Sequence, residues 1–167
     1  MSVLTGDWEK IKNLFNPSSL KNKIRQCAEK VGNYGASEVK KGIVNGNFTP
    51  LHPFTIIRKS SSKPLIDHGD LIGSVTYQVL DDNDKIFIGV NKGKEVNIAI
   101  VQEFGCTIRV TPKMRAYLHY QGLHLKESTE FIHIPARPFL RPVLLSEDFK
   151  NKVGEIYLNA LRGAFLT

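Results

Sequence analysis

His52, His68, His119, His124 and His133 are the side chains in this sequence best suited to hold a metal ion. None stands in an HxxxH or HExxH pair on an expected helix, the spacings that bring two imidazoles to one ion. His119 and His124 lie five apart across a Gly-containing turn. Asp67 and Asp70 bracket His68 and Gly69 in "PLIDHGDL", an arrangement that could abstract a proton or activate water. The same residues also suit a turn, because Asp accepts backbone N–H bonds and Gly takes positive φ. The turn outweighs a hydrolase built on Asp67, His68 and Asp70. No GxSxG, GxxxxGK[ST] or GxGxxG occurs, and "KSSSK" at 59–63 reads as a solvated loop rather than a phosphate site. Tyr117 and Tyr120 lie near basic residues without an RNA-binding consensus. Cys27 and Cys106 fit no CxxC spacing and are expected as two unpaired, buried thiols. The residues therefore predict no enzyme, cofactor, metal or small-molecule substrate.

If the side chains make no bonds, the elements that position them must serve another purpose. The 167 residues, 41% hydrophobic, predict one domain with a core of its own. Lys and Arg number 23 against 16 Asp and Glu, a formal charge of +7 that favours an anionic partner. No apolar run approaches the roughly 18 residues of a membrane span. The opening "MSVLTGDWEKIKNLF" meets Asp7 and Glu9 too early for a secretory signal, so a soluble protein made inside a cell is expected.

Asp7 can cap a short helix from Trp8 to Phe15, stopped by "NPSS". From 19 to 45 the apolar residues Leu20, Ile24, Cys27, Val31, Tyr34, Val39 and Ile43 recur at mostly three- and four-residue steps, one stripe of a long helix. Lys21, Lys23, Arg25, Lys30, Lys40 and Lys41 occupy its other side, which makes 19–45 the basis of an alternative function as a basic nucleic-acid-binding module. Gly32, Gly35 and Gly42 each weaken that helix by about 1 kcal/mol, so packing must hold it. Residues 46–69 read as a long loop. "SVTYQVL" and "KIFIGV" around "DDND" predict an antiparallel pair, with Val75, Tyr77 and Val79 sharing a face. "NIAIVQEFG" reads as a short helix closed by Gly105 or as a buried strand, the helix preferred; "CTIRV" and "FIHI" predict two short strands, and Thr111-Pro112 the start of a helix over 112–120. Ser146, Glu147 and Asp148 open a last helix over 146–163, with Phe149, Val153, Ile156, Tyr157, Ala160 and Leu161 on one face. The expected class is α+β: N-terminal helices over 1–45, a loop over 46–69, a small antiparallel sheet region over 70–140, and a C-terminal helix.

The stretch "FIHIPARPFLRPVL" is the most constrained in the chain. Pro135 and Pro138 fix φ and push Ile134 and Arg137 towards extended geometry. Two readings follow. Phe139 and Leu140 plug the core while Arg137 pairs with an internal acid, or the braced corner offers Arg137, Phe139, Leu140 and Arg141 to a neighbouring subunit. On the second reading, Arg137→Ala and Phe139→Ala block assembly and leave the lone chain folded.

"HPFTIIRKSSSKPLIDHGDLIGSVTYQV", "AIVQEFG", "IRVTPKMRAYL" and "IPARPFLRPVL", in this order, resemble the phage virion-morphogenesis family, the Mu G-like tail-completion and neck proteins of long-tailed phages. The resemblance covers about 46–145. The chain departs from the family pattern at His68, where an L-x-x-T-G-x-L frame usually has Thr. It departs again at Ile98, Ala99 and Gln102, where Tyr-Ala and then His or Gln often precede E/Q-F-G. The resemblance implies a non-enzymatic minor virion component at the head–tail junction or tail end. It implies a ring of identical subunits joined head-to-tail, touching other junction or tail-tube proteins. Leu51, Phe54, Ile56 and Ile57 would dock the 46–69 loop onto a neighbour, and in the lone chain that loop would be protease-sensitive. Surplus positive charge would line a channel that passes DNA without reading it.

Overall fold

The computed structural model describes residues 16–59, 62–80, 85–91 and 93–166, the side chains of 164–166 excepted. The expected Trp8–Phe15 helix and the "DDND" turn lie outside the described residues. The fold is α+β. In chain order it runs α1 (Pro17–Asn45), α2 (Pro53–Lys59), α3 (Asp70–Ser74), β1 (Thr76–Val79), β2 (Ile86–Gly89), α4 (Glu95–Phe104), β3 (Cys106–Arg109), α5 (Pro112–Tyr120), β4 (Phe131–Ile134), α6 (Arg141–Leu144) and α7 (Glu147–Leu166).

Most of the longer helices start on a proline or a side-chain cap. Asn16 Oδ1 accepts the Ser18 N–H at 3.0 Å ahead of Pro17. His52 Nδ1 accepts the Phe54 N–H at 3.2 Å ahead of Pro53, and Thr111 Oγ1 accepts the Met114 N–H at 3.2 Å ahead of Pro112. Proline costs nothing at the first helical position, since its missing N–H would be unpaired there anyway. This is why the expected loop over 46–69 contains a helix: His52-Pro53 starts α2 in its middle. Ser146 Oγ likewise accepts the Phe149 N–H at 3.2 Å and opens α7.

The chain divides into two compact units. The first takes the described parts of Met1–Glu38, Thr76–Gly89 and Val143–Thr167. Here α1 and α7 pack on the antiparallel β1–β2 pair, registered Thr76 to Gly89 through Val79 to Ile86. The glycines that weaken α1 earn their place by close approach. A Cβ on Gly32 would lie 2.3 Å from the Tyr77 ring, and one on Gly35 would lie 2.5 Å from Ile88 and 3.1 Å from Phe149. Tyr34 stacks on Phe149 with centroids 5.8 Å apart. Cys27, Ala28, Val31 and Ala36 are buried. Leu20 and Leu161 belong to the expected stripes yet are largely exposed. A helix of 20 residues, ~30 Å at ~1.5 Å per residue, outruns strands of four residues.

The second unit takes Val39–Val75 and Val90–Pro142. Its buried residues include Val39, Ile43, Leu71, Val75, Val90, Ala99 and Phe139. The expected sheet region opens instead on α3, entered through Gly69 at φ 90°. β3 and β4 pair antiparallel, from Cys106 with Ile134 to Arg109 with Phe131, as a sheet separate from β1–β2. α4 closes at Gly105, φ 72°, whose N–H donates to Val101 C=O at 2.8 Å. A Cβ there would sit 2.9 Å from Ile134 O, so only glycine lets the helix turn straight into β3. Both cysteines are free, Cys27 buried and Cys106 only partly so. Among the described residues, no helix is long and apolar enough to cross a membrane.

Candidate functional site: two buried anchors around an apolar groove

The Pro135–Pro138 corner turns its charge inward. Arg137 is 5% exposed. Its Nε donates to Thr49 C=O at 2.7 Å, its Nη2 to Pro50 C=O at 3.0 Å, and its Nη1 to Gln102 Oε1 at 3.4 Å. Its backbone N–H donates to Gln102 C=O at 2.6 Å. Burial lowers the guanidinium pKa from its ordinary value, and the carbonyl dipoles stand in for a carboxylate. The planar fork suits this arrangement, because it spans two successive carbonyls in one geometry.

The internal acid exists, but it serves a different arginine. Glu103, 3% exposed, sits on α4 with both oxygens occupied. Its Oε2 accepts the N–H groups of Phe139 (2.8 Å) and Leu140 (3.0 Å). Its Oε1 accepts the Arg141 N–H and the Arg141 Nε–H, both at 3.1 Å. A carboxylate thus caps α6 from across the unit, where unpaired N–H groups favour negative charge. Burial pushes the Glu103 carboxyl up, but the three backbone donors and Arg141 outweigh it, and the pKa lies below its ordinary value. Arg141 continues onto the Phe104 ring, 4.6 Å from its centroid.

A third arginine shapes the loop after α5. Arg115 Nη1 donates to Lys126 C=O at 2.8 Å, and its Nη2 to Thr129 C=O at 2.6 Å. That loop carries Leu123 and Leu125 to one side of a groove of about 630 Å³, which Leu51, Phe54, Ile132 and Ile134 also line. Gln102, His52, His133 and Arg137 supply its polar groups. Each of the four segments behind the phage resemblance either lines this groove or holds its walls.

The expected residues divide as follows. Arg137 and Phe139 (1% exposed) are buried in the lone chain, as the core-plug reading of the corner expects, and are not displayed on its surface. Proline stiffness there aims side chains into the core. Leu140, Leu51, Phe54 and Ile56 are half-buried, Arg141, Pro135 and Pro138 are exposed, and Ile57 is 79% exposed. The segment expected to stay loose until assembly carries α2 and is tied at Thr49 and Pro50. Asp67 and His68 lie 4.0 Å apart with both side chains exposed, in the turn that delivers Gly69 to α3. His133 bonds Thr107 at 2.8 Å, and His119 packs edge-on against His124. On α1, Arg25 is paired with Glu29 at 3.4 Å. Glu103 and Arg115 were not singled out in the sequence, and Gln102 only as a departure from the family pattern. The available signal was Glu103 itself, an acid inside the apolar run "NIAIVQEFG".

No protein-family model, curated protein or solved structure matches the chain.

Arg137→Ala leaves the Thr49 and Pro50 carbonyls without their donor. It should cost about 2–3 kcal/mol and expose 46–59 to proteolysis. Limited digestion read by mass spectrometry should show faster cleavage there, with Arg137→Lys intermediate because an ammonium cannot fork. Cleavage at the wild-type rate in both variants would remove the clamp from the account.

Proposed function

We propose that this protein is a structural assembly component of a tailed-phage virion, completing the tail or neck through contacts between identical subunits. The observation that carries the reading is the outer side of α4. Ala99 and Glu103 are buried on one side of that helix, while Ile98, Ile100 and Phe104 (61% exposed) face solvent on the other. The outward side thus carries three apolar side chains beside exposed Asn97, where a solvated helix face is ordinarily polar. Ile57 and Tyr120 (86% exposed) add to the apolar surface of the same unit, and such a surface suits protein contact. The polar anchors Arg137, Glu103 and Arg115 are engaged in holding the backbone, which suits a scaffold. The resemblance of the four groove-building segments to tail-completion proteins supplies the setting.

The test is genetic. Removing the coding sequence from a phage or prophage that carries it should leave filled heads and unjoined tails by electron microscopy. Infectious yield should collapse and return on complementation. Normal yield without the protein overturns the proposal.

A further inference from the structure

Arg137 brings a positive charge to the groove, and no acid cancels it. Its side chain is 5% exposed. Three of its five N–H groups donate to the Thr49 and Pro50 carbonyls and to Gln102 Oε1. Those acceptors occupy donors but leave the charge in place, and a buried charge is ordinarily paired. Among the described residues no carboxylate forms an ion pair with Arg137. Glu103, beside Gln102 on α4, is turned to residues 139–141 instead. Burial lowers the Lys59 pKa and the Arg137 charge adds to that against the pull of Asp67, so a second cation stands in the same field. The groove that Arg137 lines has apolar walls and no acid in its lining.

The outer edge of β4 runs along this groove. The bond from Val110 N–H to Glu130 C=O, 2.8 Å, fixes which positions face inward. With the observed register, Ile108–Ile132 and Cys106–Ile134 are then the hydrogen-bonded pairs. Phe131 and His133 alternate with them and direct their N–H and C=O groups outward. Among the described residues no backbone hydrogen bond meets them there. β4, "FIHI", has no charge or proline within it, the usual means of blocking an exposed edge. Ile132, His133 and Ile134, residues from both faces of β4, line the groove, so the groove follows the strand's edge.

We infer that the groove binds an extended, largely apolar segment of a partner protein, which pairs with the outer edge of β4 and sets one Asp or Glu carboxylate on Arg137. This rests on the assembly reading above and states the chemistry of the partner. Strand addition supplies main-chain bonds to Phe131 and His133, while the apolar walls receive alternate side chains. The carboxylate selects the partner: it takes the guanidinium donors left open and cancels the buried charge. Charge complementarity alone would also admit a nucleic acid. That occupant brings a phosphate at every nucleotide, whereas the lining holds a single arginine among apolar walls.

The experiment varies the ligand, so it does not depend on protein variants that unfold. The probes are six-residue peptides of alternating Val and Thr, capped at both ends, with one Glu or one Gln moved along the chain. Isothermal titration into the full chain should find a position where Glu binds at least about tenfold tighter than Gln. Arg137→Lys, which keeps the charge and loses the fork, should narrow that preference. Methylating the peptide amides on one side of the strand should abolish binding, and methylating the alternate amides should spare it. With peptide bound, hydrogen exchange should slow at the Phe131 and His133 amides at least about tenfold more than at Ile132 and Ile134, which are already inside the ladder. No binding by any peptide at millimolar concentration overturns the inference, and so does equal binding of the Glu and Gln series. Unchanged exchange at Phe131 and His133 overturns strand addition. Decanoate that binds as tightly as the best peptide makes the groove a site for small carboxylates and overturns the partner segment. Should the peptides fail while loss of the protein still leaves tails unjoined, the assembly role stands and its contact lies elsewhere.

Discussion

Glu103→Ala should destabilise the unit that holds it by about 3–5 kcal/mol, the range for breaking one side of a buried, hydrogen-bonded ion pair. The substitution deletes the acceptor for three successive backbone N–H groups, those of Phe139, Leu140 and Arg141. Each is then left to find water at a corner that admits little of it. Against a typical total of about 5–15 kcal/mol, the unfolding midpoint should fall by roughly 10 °C. Glu103→Gln should recover part of the loss, because its carbonyl oxygen still accepts while its amide faces donors. Acid supplies an independent check. The folded pKa of Glu103 lies below its ordinary 4.5. Its contribution is therefore full above the unfolded pKa and is lost as pH falls through the folded one. The difference in midpoint between wild type and Glu103→Gln should be largest near neutrality and shrink as pH drops below about 4.5. A gap that stays constant from neutral to acid would show that packing, and not the carboxylate charge, stabilises the corner.

Local signals in the sequence carried the elements, and long-range polar pairing was hidden from it. α1, α4, α5 and the strands follow from periodicity, from caps such as Thr111 and Ser146, and from Gly105, all of which act within a few residues. α2 was missed because a seven-residue helix is too short to display a period, although His52-Pro53 marked its start. The site was legible only as types. Arg137 and an internal acid were both anticipated, but residues 88, 87 and 35 apart in sequence meet at Arg137. No spacing rule says that Arg137 takes carbonyls while Arg141 takes Glu103. The division makes physical sense afterwards. A guanidinium deep in the unit is satisfied by two carbonyl dipoles, whereas the half-exposed Arg141 can neutralise a buried carboxylate and keep its other face on Phe104.

The burial of the corner separates stability from assembly, and Phe139→Ala is the variant that reads the difference. Its side chain is 1% exposed, one of the largest fully buried among the described residues. Truncating a buried Phe leaves a cavity and costs about 3–5 kcal/mol. The lone Phe139→Ala chain should therefore melt well below the wild type, by roughly 10 °C, and show a lower denaturant midpoint. Ile57→Ala, at a position 79% exposed, should melt like the wild type. Assembly should respond the other way. Phe139→Ala chains that remain folded at low temperature should associate as the wild type does, because the ring meets no neighbour. Normal melting of Phe139→Ala together with lost association would mean that the ring leaves the core on assembly to fill a neighbour. The corner would then be a latch instead of a keystone.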